Sequence, residues 1–252
     1  MRGPLAEVFR DRDVAKAYRH RAPYPDETFT ILEELLVDPR TVLDAGSGSG
    51  ALARSMVRFA SRVDAVDPSA AMVGEGRLLA GGDDPRLRWI TGTAEDAPLD
   101  PPYGLITAGT SIHWMDPQVV MPRFAAALAA GAHLAIVERD DGDFPVPELL
   151  DIIKRYSELH ADRVDALPER IAALEATGRF VREGERRTAP VGLRRTVDEY
   201  LEYLHSTSTL ARVRLGERAS AFDADVRAVF AKRGMAIVEQ QVVGLVAWGR
   251  PR

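Results

Sequence analysis

The sequence contains no cysteine, which excludes disulfides, thiolate zinc sites, iron–sulfur clusters and a cysteine nucleophile together. Any chemistry must use other groups. Lysine is nearly missing too: of 33 basic residues only Lys16, Lys154 and Lys232 are lysines, a bias read here as base composition without functional weight. No apolar run is long enough for a transmembrane helix, since the longest, residues 124–137, is broken by Gly131 and His133. Met1, Arg2, Gly3 and Pro4 do not form the apolar core of a signal peptide, so the expectation is a cytoplasmic protein with no membrane partner. Neither charge sign dominates. A net charge of −5 over 252 residues offers no electrostatic reason to expect nucleic acid as partner.

What is present is an ordinary globular composition, 46% hydrophobic and 28% charged with 20 glycines and 16 prolines. The length suits one large domain, or one domain with a sizeable insertion. Residues 1–40 read as a helical lead-in broken at Arg21 to Pro25. Short β-like runs follow at 41–43, 63–66, 87–90, 105–108 and 133–137, separated by helix-compatible stretches. This alternation predicts an α/β fold: a doubly wound, Rossmann-like, mostly parallel sheet with helices on both faces. The helix before the fifth run has Asp116 as N-cap, Pro117 at its first position and Gly131 as stop.

After residue 140 the pattern changes to consecutive helical faces. Residues 141–215 are expected to form a helical cap insertion with one core strand near 180–188. Residues 216–252 are expected to supply a last core helix and a strand, the two late strands forming an antiparallel pair. The core then spans 41–140. The arginines at 182, 186, 187, 194 and 195 read as a solvated strand edge, with an anion clamp as the alternative.

The most informative segment is Thr41, Val42, Leu43, Asp44, Ala45, Gly46, Ser47, Gly48, Ser49, Gly50, a strand running into a glycine loop. Such loops let a ligand approach the backbone, and the helix that follows offers free N–H donors. Gly46, Gly48 and Ala51 also fit a dinucleotide fingerprint, which keeps an NAD(P)-dependent oxidoreductase as an alternative. Asp44 argues against it: a carboxylate there repels a pyrophosphate and suits a cationic ligand. Asp67 closes a second strand 23 residues after Asp44 and is placed to accept from ribose hydroxyls.

Three ordered segments, Asp44 to Gly50, Val66-Asp67-Pro68-Ser69 with Met72, and Gly92 to Leu99, resemble the successive motifs of class I S-adenosylmethionine-dependent methyltransferases. Tyr18 to Pro25 and Ser111 to Trp114 are similar to a small-molecule branch that includes trans-aconitate methyltransferases. The resemblance implies S-adenosyl-L-methionine as cofactor, S-adenosyl-L-homocysteine as product, a small-molecule acceptor methylated on oxygen or nitrogen (a carboxylate or a natural-product-like compound), and no metal.

Carried over, Gly46, Ser47, Gly48 and Gly50 form the loop around the methionine part and Asp44 supports its amino group. Asp67 binds the ribose. Met72, and Pro68 or Ser69, flank the adenine, the Ala94 backbone lies near, and either Glu95 or Asp96 accepts from the exocyclic amine. Thr110 and Ser111 line the transfer site; Tyr18 and Arg21 belong to the lid, with Tyr24 beside the substrate. His113 is the candidate general base should the acceptor need one, the alternative being a loop-orienting role. Trp114, His160, Tyr200 and Tyr203 are candidate substrate contacts. A methyltransferase-fold subunit without catalysis is a third reading.

Overall fold

The structure is a computed structural model that describes residues 4–142, 144–157 and 167–252; His160 lies outside them. In chain order the elements are α1 (Pro4–Glu7), α2 (Arg12–Ala17), α3 (Asp26–Leu35), β1 (Thr41–Ala45), α4 (Ala53–Met56), β2 (Arg62–Asp67), α5 (Ala70–Leu78), β3 (Leu87–Thr91) and β4 (Tyr103–Gly109). The chain continues through α6 (Pro117–Ala127), β5 (Leu128–Asp140), α7 (Glu148–Tyr156), α8 (Leu167–Ala176), β6 (Phe180–Arg187), β7 (Val191–Thr196), α9 (Val197–His205), α10 (Arg212–Leu215), α11 (Ala219–Lys232) and β8 (Ile237–Pro251).

One sheet runs in the order β3-β2-β1-β4-β5-β8-β6. The first five strands are parallel, and β8 is antiparallel to both β5 and β6. This is the Rossmann-like sheet with a closing antiparallel set. Alternate side chains divide the core between its faces: Val42, Val63, Leu105 and Val137 meet Ile31, Leu32 and Met56 on one side, while Leu43, Val66, Ile106 and Ile136 meet Val120 and Phe124 of α6 on the other.

Three features depart from the sequence reading. Helix α6 does begin on the Asp116 cap, whose carboxylate accepts from the Gln118 amide, but it ends at Ala127. Residues 128–131 join β5, because Leu128 is drawn into register with Tyr103; Gly131, with φ +81°, sits inside the strand region. Strand β7 was not anticipated. It pairs with the first half of β8, Val191 opposite Val242 through Thr196 opposite Ile237, and the resulting ribbon projects beyond the end of β5. Upon this ribbon α7, α9 and α11 build a separate core from Leu149, Ile153, Tyr200, Leu204, Phe222 and Phe230. Helix α11, expected beside the sheet, thus packs with the cap.

Candidate active site

The cleft lies at the carboxyl ends of β1, β2 and β4, where open α/β sheets place their ligands. Its floor is the loop after β1. Gly46 and Gly48 take positive φ of 67° and 57°, a region that favours glycine, and a Cβ on Gly46 would stand 2.6 Å from the Ser111 Cβ. Ser111 donates to the Ala45 carbonyl at 2.7 Å and so fixes the seat of the loop. The Ser47 amide donates to the Val66 carbonyl at 2.9 Å. The Ser47 hydroxyl is buried, lines the cleft and has no partner among the described residues. Asp44 is fully buried; its carboxylate accepts from the Thr107 hydroxyl at 2.9 Å and the Ala53 amide at 3.2 Å. Burial pushes this carboxyl up to about 7, with the nearby Asp67 adding to the rise and the two hydrogen bonds opposing it.

Asp67 accepts from the Gly48 amide and from the Ser69 amide, each at 2.8 Å. Each oxygen thus keeps a lone pair for a further donor. Ser69 caps α5 by accepting from the Met72 amide and donates to the Phe9 carbonyl at 2.7 Å, which ties the lead-in to this end of the cleft. Pro68, Met72, Thr93, Ala94 and Glu95 complete the wall. Between the two candidate acids the geometry differs: Glu95 lines the cleft and accepts from the Asp116 amide, whereas Asp96 accepts from the Thr93 amide at 2.9 Å and hydroxyl at 2.6 Å and is not part of the wall.

At the opposite end stand Thr110, Tyr24, Arg21, Tyr18 and Trp114. Thr110 has φ +49°, strained for a β-branched residue and held by its amide donating to Val137; its hydroxyl lies 3.3 Å from that of Tyr24. The Arg21 guanidinium lies over the Tyr18 ring at 4.2 Å and donates to Ser206. Phe9 makes edge contacts with both Tyr18 and Trp114, closing an aromatic roof.

Several expected site residues stand elsewhere. Gly50 packs against Trp89, where a Cβ would fall 2.5 Å from the indole. Tyr200 is buried in the cap core and Tyr203 stacks under Arg195 at 4.5 Å; neither lines the cleft. His113 stacks on Trp114 outside the wall. Although the residue is exposed, partial desolvation of its ring, helped by the Arg170 and Arg21 charges, pulls the imidazole down, so it is neutral at physiological pH. Arg195, read as solvated, is buried and donates to the His20 carbonyl and to Gln240. Conversely the sequence reading missed Phe9, Leu52, Met115 and Arg139 in the wall. Arg139 could have been found, since it ends the fifth strand on the ligand-binding edge of the sheet. No cluster of metal-ligating side chains occurs among the described residues, and none of their helices is long and apolar enough to cross a membrane.

Comparison with known proteins places this cleft in a family context. Residues 42–140 match the family model described as a methyltransferase domain. Proteins of Mycobacterium tuberculosis and Mycobacterium bovis, both described as uncharacterized methyltransferases, are 36% identical over 154 residues, covering 60% of this chain and 60% of theirs. The matched region therefore spans less than two thirds of those relatives. Among solved structures, a candidate type II methyltransferase from Anaeromyxobacter dehalogenans superposes with a TM-score of 0.67 at 23% identity, covering 92% of this chain and 99% of that one. A methyltransferase from Thiobacillus denitrificans, solved in complex with S-adenosylhomocysteine, gives 0.50 at 16% identity, covering 92% and 96%. Residues 42–140 thus resemble a methyltransferase domain, and the chain carries the fold of those solved methyltransferases, closed by the antiparallel strands and roofed by the lead-in.

Proposed function

We propose that the chain binds S-adenosylmethionine in this cleft and transfers its methyl group to an oxygen or nitrogen of a small-molecule acceptor. The observation that carries the reading is Asp67, held by two backbone amides with a lone pair free on each oxygen, beside a glycine floor that carries the unpartnered Ser47 hydroxyl. A ribose diol and the polar end of an amino acid fit those groups. Asp67 holds the ribose hydroxyls; Met72 and Pro68 flank the base; Glu95 is the better placed of the two acids for an exocyclic amine. Asp44 offers its carboxylate to an ammonium group, and the same charge disfavours the pyrophosphate of a nicotinamide cofactor.

The cofactor, when bound, supplies an electrophilic methyl carbon, released to the acceptor's lone pair as both electrons of the carbon–sulfur bond pass to sulfur. The protein's part is to align and to dehydrate. Phe9, Tyr18 and Trp114 exclude water from above, and orientation of this kind can favour a displacement by up to ~7–11 kcal/mol. For an acceptor that must lose a proton, the candidate recipient is neutral His113, which stands behind the cleft-lining Trp114. A cytoplasmic location and the absence of a nucleic-acid partner belong to the same proposal, the latter supported by the −5 net charge.

Calorimetric titration with S-adenosylhomocysteine tests this reading. The expected result is binding in the micromolar range by the wild type and its loss in Asp67→Ala; no binding to the wild type at high micromolar ligand would sink the proposal.

A further inference from the structure

Three arginines line the cleft, Arg10, Arg21 and Arg139. Two are engaged: Arg10 pairs with Glu7 at 3.0 Å, and Arg21 donates to the Ser206 hydroxyl at 3.1 Å and carbonyl at 2.9 Å. Arg139 is different. Its guanidinium lies over the Tyr24 ring, 4.9 Å from the centroid, and none of its hydrogen-bond donors or its charge is matched by a described residue within bonding or ion-pair distance. The ring covers one face of the guanidinium and leaves the fork of N–H donors at its edge, the part that fits a planar carboxylate in two parallel hydrogen bonds. Tyr24 itself is buried, with its hydroxyl beside Thr110, so the platform under the guanidinium is fixed.

The charges of the cleft are sorted. Asp67 and Glu95 belong to the end assigned above to the cofactor, Asp44 lies between that end and Tyr24, and Arg139 stands with Tyr24, Gly109 and Thr110 at the other. An anion entering from the mouth is repelled by the first group and attracted by the last. Asp141 and Glu138 lie near enough to act on this guanidinium electrostatically but make no ion pair with it, and a half-buried guanidinium with unfilled donors recovers lost hydration by taking a carboxylate at contact distance.

Resting on the methyltransferase reading, we propose that Arg139 is the carboxylate-binding residue of the acceptor site, so that the acceptor is a carboxylic acid oriented by this side chain against the Tyr24 platform.

The test uses the full chain saturated with S-adenosylhomocysteine and a panel of aliphatic, dicarboxylic and aromatic acids, each with its primary amide, read by thermal shift and by methyl transfer from S-adenosylmethionine. We expect at least one acid to stabilise the loaded wild type and to be methylated, and its amide to do neither. Arg139→Gln should bind that acid roughly tenfold or more weakly, with Arg139→Lys in between, while S-adenosylhomocysteine affinity stays unchanged and shows that the variant is folded. An amide equal to its acid, an acid effect retained in Arg139→Gln, or no active acid in the panel overturns the proposal. So does a variant that loses S-adenosylhomocysteine but keeps methylthioadenosine, because Arg139 then holds the cofactor's own carboxylate. Failure of the wild type to bind S-adenosylhomocysteine overturns the methyltransferase reading itself, an outcome distinct from all of these.

Discussion

Asp44 is a carboxylate almost wholly buried at the floor of the cleft, and its two hydrogen bonds only partly offset that burial. A carboxyl raised in the folded state stabilises the fold fully below its unfolded value of 3.8, and that contribution is lost as pH climbs through about 7. The ligand-free protein is therefore expected to be less stable at pH 8 than this residue alone would allow at pH 5. Asp44→Asn can accept from the Ala53 amide and donate to Thr107, which can turn its own proton to the Leu43 carbonyl. It should raise the unfolding midpoint at pH 8, with an advantage that shrinks towards pH 4, while weakening S-adenosylhomocysteine binding. Thermal melts across that range check the slope. Gly46 supplies the opposite case: an added Cβ meets Ser111 and imposes a strained positive φ, so Gly46→Ala should cost about 1–3 kcal/mol and abolish binding by calorimetry. His113 gives a third prediction. With its imidazole pulled down by its surroundings and by the Arg170 and Arg21 charges, its ring resonances should titrate at a lower pH than those of an ordinary histidine in an NMR titration.

At the scale of elements, α9 starts on a capping box in which Thr196 and Glu199 exchange hydrogen bonds. Thr196 also ends β7, so one residue stops the ribbon and starts the cap helix. Thr196→Ala should cost ~1 kcal/mol, seen as a lower denaturant midpoint with an unchanged slope. The parallel strands were legible because each is a short apolar run bounded by Gly, Pro or Asp, and the glycine floor and its two acids were legible from spacing alone. Strand β7 was not: Val191, Gly192, Leu193, Arg194 and Arg195 show no alternation, and their strand is made by pairing with β8. The end of α6 failed for a related reason, since Leu128, Ala129 and Ala130 suit a helix until Tyr103 recruits Leu128. Arg195 was hidden because a charged residue in a polar stretch reads as solvated, and only its tertiary placement over a tyrosine ring reveals otherwise.

For the whole molecule, the lead-in is fastened to both bodies it separates. Arg19 pairs with Glu75 of α5, Ser69 holds Phe9, Arg21 holds Ser206, and Arg195 holds the His20 carbonyl. Sheet and cap also share β8, whose second half pairs with β5 and β6 and whose first half pairs with β7. The cap should not unfold alone. Differential scanning calorimetry is expected to show one transition whose calorimetric and van't Hoff enthalpies agree, and a resolved low-temperature cap transition would contradict this coupling.

The changeover within β8 falls at Gly244, which is register partner to Arg139 across the β5 ladder. A Cβ there would stand 2.2 Å from the Thr28 hydroxyl and 3.0 Å from Thr188, so the glycine lets the strand lie close to α3 while it turns from sheet into ribbon. Gly244 and the cleft-lining Arg139 thus sit side by side on neighbouring strands. A side chain introduced at Gly244 is therefore expected to displace the backbone beside Arg139 as well as the seat of α3, with no cleft-lining residue changed.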